Sequence, residues 1–541
     1  MKHLWSLALV VGLFAFTGCS NENEEVVEQQ HHGQTRGADE KATAFISDDN
    51  AVTSDAATRT VGVYTGSYIK FYWTSGDKLW IKESTLKQSV KDDIDERIAA
   101  NGNGRAEMAK FYFQGVYTNP TYLLRYTGNG NDSGDKVTIK ASQSQVSPNN
   151  ARHLGTDGDC GTATAHRQAN GTYLFSVNHK AAYITFAPYY SKEKLDNSVS
   201  ITNIRVTANE NLAGTYAFDD NGIQTSTVYN PSKSVTLALN NTFKVPHVSD
   251  YTMNGAIMVV APGTYTNFTI EYTLSDSRTG VSGTISKTYN SLTLDAGKNK
   301  VVKYDFAMNR YPMEYYMWDP GKHYWNGYTG TLPITDNEKA SFPAQGTNRY
   351  FNGNGVNLYA VNACRICPNA NEATLYAFRG DPHWDGKTLW VMNHHLYIGG
   401  MWFKKLQYIE GGYASPVTRY PDGHDYRQNS EWRNWDELTP AKYHDKWINR
   451  PAQGKPQNTS KYFFLPAMGY LDNHNSEGQL KIGAYGTYFG FYNGYNGAYW
   501  TSTSVRKTNT SLQAVSLHFS HSEVGLEVDD RKWAYPIFKI Q

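Results

Sequence analysis

Three groups of residues have the types and spacing for chemistry. Cys364 and Cys367 form a CxxC, the spacing of a redox pair, a short disulfide or half of a zinc site. Zinc would need two further ligands, and although His383, His394 and His395 are near in sequence, there is no second CxxC and no matched HxxxH, so no metal is assigned. Outside the cytoplasm the pair can be oxidised, which leaves a Cys364–Cys367 disulfide open, but a loop that small adds little stability. A structural role for both cysteines is expected. The second group, Asp381-Pro382-His383-Trp384-Asp385, brings two carboxylates and an imidazole together; the simpler reading is a loop and helix cap held by Asp385, with Trp384 in the core. The third is Tyr485 to Tyr499, YGTYFGFYNGYNGAY, where aromatic rings supply contact area at low entropy cost and Gly and Asn permit sharp turns. Tyr485, Tyr488, Tyr492, Tyr495 and Tyr499 are its candidate ligand-binding residues, with Phe489 and Trp500 expected to anchor the segment from beneath. No GxxxxGK[ST], HExxH or GxSxG occurs, and no nucleophile, base and oxyanion set can be assembled. Catalytic residues and cofactors are therefore both set at none.

What must position these groups is a chain of 541 residues, too long for one core. Lys and Arg number 51 against 50 Asp and Glu, so there is no steering field for nucleic acid or an anionic membrane. With 40 Tyr, 46 Gly and short alternating segments, the composition reads as a β-rich secreted protein. Lys2, the apolar run Leu4 to Phe16 and Phe16-Thr17-Gly18-Cys19 read as a lipoprotein signal peptide, with Cys19 the lipidated residue. An acidic polar tether follows from Ser20 to Glu25.

Strands are expected at Lys41–Ser47, Tyr68–Trp73 and Lys78–Lys82, in two pieces across Tyr173–Pro188, at Ile257–Ala261, and at Val301–Phe306. Two helices are expected late in the chain. One follows Asn369; the other follows Asp385, where Leu389, Met392 and Leu396 fall at i, i+3 and i+7. Val515, Leu517 and Phe519, then Val524, Leu526 and Val528, alternate as a terminal antiparallel meander.

The phrases ATRT, WTSGDKLWI, FSVNHKAAYITF and LAGTYAF together resemble the fimbrillin family of Bacteroides-type pilus subunits, over Lys41 to Phe306. FLPAMGYLD, YWTSTS, SLHF and RKWAYPI resemble the C-type-lectin-like "major paralogous" domain of related surface lipoproteins. The resemblance implies a mainly β fold class, with two tandem transthyretin-like β-sandwiches followed by an α+β C-type-lectin-like domain. It divides the chain into a signal peptide (1–19), a tether (20–40), the sandwiches (41–195 and 196–310, with the break between Ser191 and Ser200) and the lectin-like domain (311–541). It also implies an outer-membrane lipoprotein precursor at the cell surface, touching membrane only through lipid on Cys19. Proteolytic processing is expected at Arg59, in the loop after the first strand, with Arg36 preceding that strand. The partners it implies are other fimbrial subunits, by β-strand donation, and a host or bacterial surface glycan or protein. A globular domain here occupies the place of the family's donor extension, so the chain reads as a tip subunit and adhesin that accepts a strand and could hardly give one. The alternative is an anchored surface lipoprotein that captures glycans for uptake. Calcium-dependent sugar binding is not expected, because the Glu-Pro-Asn or Gln-Pro-Asp and Trp-Asn-Asp phrases of calcium-dependent sugar lectins do not occur, and Arg433-Asn434-Trp435-Asp436 has the letters in the wrong order.

Overall fold

Alternation of apolar and outward residues builds the first sheet. In Lys110–Gln114 (KFYFQ), Phe111 and Phe113 turn inward while Gln114 faces solvent. The computed structural model describes residues 42–47, 61–351, 359–412, 415–428, 448–472, 477–482, 496–506 and 512–541. These residues fold mainly as β-structure with a few short helices. Along its main path the first sheet runs in the order Leu86–Gln88, Trp80–Lys82, Thr121–Tyr126, Gly161–Arg167, Tyr173–Phe175, Ala42–Ser47, Lys110–Gln114, Lys91–Asp92. The amino-terminal strand therefore lies inside the sheet, not on its edge.

A second core is built around two strands, Ala182–Phe186 and Ala256–Val260, that are buried along their whole length. Ala256–Val260 is apolar throughout and Ala182–Phe186 is apolar but for Thr185, because both faces of each strand are covered. They pair antiparallel, and Asn299–Val302 joins Ala182–Phe186 in parallel. Five further strands make the sheet Ser142–Gln145, Ser234–Leu239, Val199–Thr207, Gly263–Asp276, Val281–Leu294. Val137, Ile139, Tyr183, Ile184 and Phe186 precede the break expected between Ser191 and Ser200, yet they belong to this second core. Pairing across long sequence separations decides which sheet a strand joins, and local pattern carries no record of it.

Gln143 and Gln145 act as a substitute ladder along the free edge of Ala256–Val260, an end strand of its three-stranded sheet. The Gln143 side-chain amide donates to the Val259 carbonyl (2.7 Å) and its oxygen accepts from the Val259 N–H (3.1 Å). Gln145 does the same with the Gly255 carbonyl (2.9 Å) and the Ile257 N–H (2.8 Å). Gln143→Leu fills a similar volume but leaves a buried N–H and C=O unpaired. A loss of about 1–3 kcal/mol is expected in urea unfolding, and a change below about 0.5 kcal/mol would mean that water replaces the amide.

Towards the carboxyl end, the helix after Asn369 is present as Ala370–Arg379, closed by a capping box in which Asn369 accepts from the Glu372 N–H (3.0 Å) and Glu372 accepts from the Asn369 N–H (2.8 Å). The helix expected after Asp385 is instead a hairpin, His383–Met392 paired with His395–Lys404. Leu389 and Val391 point into the second core, while Trp390 and Met392 face a different cluster. Burial on both faces removes the alternation that marks a strand, and the remaining apolar run mimics a helical stripe. Asn393 and His394, at φ 48° and 70°, make the two-residue turn, a conformation that Asn tolerates well. The terminal meander is present as Asn496–Arg506, Leu512–Ser520 and Val524–Asp530.

The hairpin turn is seated in the second core. His395 Nδ1 and the Leu396 N–H both lie 3.0 Å from Asp276 Oδ2, the Arg278 N–H donates to Asp276 Oδ1 (2.9 Å), and Thr279 Oγ1 donates to the Leu396 carbonyl (2.9 Å). Asp276 is fully buried.

Candidate functional site

The seat of the amino-terminal strand is the most elaborated feature of the first sheet. Ala42–Ser47 pairs antiparallel with Lys110–Gln114 through five residue pairs, Ala42 to Ile46, and parallel with Tyr173–Phe175 through three, Phe45 to Ser47. Phe45 stacks on Tyr173 at 4.5 Å between centroids and meets Phe113 (5.1 Å) and Tyr117 (5.6 Å) edge-on. Ser47 Oγ accepts from the Trp73 indole and from the Ala109 N–H, both at 2.9 Å. A six-residue segment thus satisfies two strand edges and fills an aromatic socket. Taking it away would leave unpaired backbone groups on both sides, a template for β-augmentation. Arg59, like Cys19 and Arg36, lies outside the described residues.

Of the five tyrosines singled out as a contact surface, Tyr485, Tyr488, Tyr492 and Tyr495 also lie outside the described residues, as does Phe489. Tyr499 is described, and it is core: only 2% exposed, its hydroxyl donates to the Pro466 carbonyl (2.6 Å) and its ring packs on Phe519 and Phe538. It sits in Asn496–Arg506, a strand covered on both faces, so its ring serves the core and is not part of an exposed contact surface. Burial pushes its phenol well above the ordinary value. Its neighbour Trp500 is fully buried and donates from Nε1 to the Tyr316 carbonyl (2.7 Å). Tyr499 does line the inner wall of an aromatic cleft of about 300 Å³, with Tyr311, Tyr316, Phe464 and Pro536.

The two cysteines are free thiols, so the possible disulfide between them is not formed. Cys364 belongs to a 3₁₀ turn, Ala363–Ile366, organised by Asp319, whose carboxylate accepts from the N–H groups of Val361 (2.8 Å), Asn362 (2.7 Å) and Cys364 (3.2 Å). Burial, followed by the hydrogen bond with Cys367, pushes the Cys364 thiol well up, the opposite of an activated nucleophile.

Asp385 caps no helix. Its carboxylate accepts from the N–H groups of Lys387 (3.0 Å) and Thr388 (3.1 Å), from Thr388 Oγ1 (2.6 Å) and from the Trp402 indole (3.1 Å), holding a bulge in the hairpin. Trp384 is buried beside it. Among the described residues, no group of three or more His, Cys, Asp or Glu could hold a metal ion. His394 and His395 are spent on the hairpin turn, where His394 Nδ1 lies 2.8 Å from the Lys194 carbonyl.

The alternation that turns Val515, Leu517 and Phe519 one way leaves Ser516, His518 and Ser520 on the other face of the meander, and what lies against that face was missed. His518 Nε2 is 3.0 Å from Ser516 Oγ and 2.9 Å from Asp529 Oδ2. This is not a catalytic triad, in which the two ring nitrogens serve the serine and the carboxylate separately; here one nitrogen faces both, in a buried setting. Pairing of Leu512–Ser520 with Val524–Asp530 brings the groups together, and only the alternation of polar residues in both strands could have signalled it.

Among the described residues, no helix is long and apolar enough to cross a membrane. No protein-family model matches the chain, and no curated protein matches it. Solved structures that it resembles include a protein assigned to cell adhesion from Bacteroides ovatus (13% identity, 49% of this chain and 92% of the other, TM-score 0.28). Another protein so assigned, from Bacteroides uniformis, has 13% identity, 49% and 95% coverage, and a TM-score of 0.28. A fimbrial protein from Bacteroides ovatus has 10% identity over 91% of this chain and 97% of the other, with a TM-score of 0.23. TM-scores this low carry no argument about the present chain, whose function has to be read from its own geometry.

Proposed function

We propose that this chain is a cell-surface fimbrial subunit that accepts a strand from a neighbour in the seat of Ala42–Ser47 and adheres through its carboxyl-terminal part, at a fimbrial tip. In this reading the precursor is lipidated at Cys19 and cut after Arg59, which removes the lipid and the amino-terminal strand together. The observation that supports it is the position of that strand: inside the sheet, paired on both edges, with Phe45 in an aromatic socket, and preceding the expected cut. A donated strand with an aromatic residue in register with Phe45 would restore the same contacts.

Amino-terminal sequencing of the surface form tests it. The expected first residue is Thr60, and Arg59→Ala should leave the strand in place and exclude the chain from purified fimbriae. A surface form that begins at Cys19 would sink the cut and the strand exchange, and would favour an anchored lipoprotein.

A further inference from the structure

A second, larger cleft lies between the edge strand Val281–Leu294 of the second core and the bulged half of the hairpin formed by His383–Met392 and His395–Lys404. Its volume is about 1030 Å³. The two parts approach closely at Leu389, which lines the cleft: a Cβ on Gly283 would come within 2.8 Å of its side chain. Asp385 builds one wall, because its hydrogen bonds fix both the bulge that carries Lys387 and the indole plane of Trp402. Phe464 packs against Trp402 at 5.1 Å, and Lys455 Nζ lies 5.3 Å from the Trp402 ring centroid. The facing wall presents Tyr304 and the hydroxyls of Thr284 and Ser286.

The charge of this cleft is one-sided. Lys387 and Lys455 are exposed, and neither has a carboxylate within ion-pair distance among the described residues. The one carboxylate in the lining, that of Asp385, is buried and occupied by four donors. A ligand that suits this wall offers a flat apolar face to Trp402 and Phe464, an anionic group to the two ammonium groups, and hydroxyls to the Thr and Ser of the facing strand. A pyranose ring bearing a carboxylate or sulfate combines all three.

We propose that this cleft is a binding site for acidic oligosaccharides, with Trp402 as the stacking platform, Lys387 and Lys455 as the anion-recognising groups, and Asp385 as the positioning residue that holds them. The site stands apart from the strand seat and is independent of the fimbrial reading; it would serve a surface-anchored capture protein equally well.

The test uses the full chain after its signal peptide and two acidic probes, a galacturonic acid hexamer and a heparin-derived hexasaccharide, with the methyl-esterified galacturonate hexamer as the neutral control. At low salt, at least one acidic probe should bind at least tenfold more tightly than the neutral one, and that preference should shrink as salt rises. The double variant K387Q/K455Q should lose tenfold or more in affinity with an unchanged melting temperature, since both side chains are exposed. T284W, which fills the cleft from an exposed strand position, should abolish binding in a folded protein. Failure of both acidic probes to bind, equal binding of neutral and acidic hexamers, or a double variant that binds like the parent would each overturn the assignment.

Discussion

Replacing Phe45 with alanine should destabilise the unprocessed chain by about 3–5 kcal/mol, the range for deleting a fully buried aromatic side chain. Phe45 has no exposed surface, and its ring stacks on Tyr173, meets Phe113 and Tyr117 edge-on and lies within 6.3 Å of Tyr122. The cavity would open between strands fixed by ladders on both sides, so collapse could recover little of the lost contact. The first core should unfold at lower urea while the second keeps its midpoint, because Phe45 belongs to a hydrophobic cluster of its own. Trp73, which is in that cluster and donates to Ser47, is the natural fluorescent reporter. A loss below about 1 kcal/mol would mean that the socket is loose, and the seat would then be a poor acceptor for any donated strand. The same socket sets the side-chain preference of a donor: a peptide with Phe or Tyr in register with Phe45 should bind the processed chain, and its alanine counterpart should not.

What the sequence revealed and what it concealed divide along one physical line. Where buried and outward residues alternate, as over Phe45, Ile46 and Ser47 in the expected strand at Lys41–Ser47, the pattern reports the strand directly. The helix Ala370–Arg379 was legible through its cap, because Asn369 and Glu372 are local partners three residues apart. Elements covered on both faces lose that signal, which is why His383–Met392 resembled a helix and why Tyr499 looked available for a ligand. Assembly across long separations is concealed more deeply. Nothing local to Gln143 reports that its amide serves Val259, 116 residues on, and nothing local to Asp385 reports that it aligns Trp402. The strand Ala42–Ser47 was legible as a strand, but its interior place in the sheet depends on partners at Lys110–Gln114 and Tyr173–Phe175.

Asp276→Ala should release the hairpin turn from the second core at a cost of about 3–5 kcal/mol, since it leaves several buried donors without an acceptor. The carboxylate accepts from the Leu396 and Arg278 N–H groups and faces His395 Nδ1 at 3.0 Å, while His394 and Asp196 are joined next to it through the Asp196 N–H and the His394 carbonyl (3.0 Å). Burial alone would push the Asp276 carboxyl up. The hydrogen bonds from His395, Ser198, Leu396 and Arg278 outweigh it and hold the group at about 2, against an ordinary 3.8. A lowered folded value means that the contribution is complete above pH 3.8 and fades as pH falls towards 2, and its full size at neutral pH is about 2 kcal/mol. Amide exchange at Leu396 should therefore be slow at about pH 5, accelerate relative to intrinsic exchange between about pH 4 and pH 2, and be fast at every pH in Asp276→Ala. Asp276→Asn keeps the shape but loses the charge, and should fall between the two with little pH dependence across that window. If Leu396 exchanges in Asp276→Ala as it does in the parent chain, the hairpin is held by Leu389, Val391 and Leu396 packing alone, and the acid-sensitive step must lie in another carboxylate.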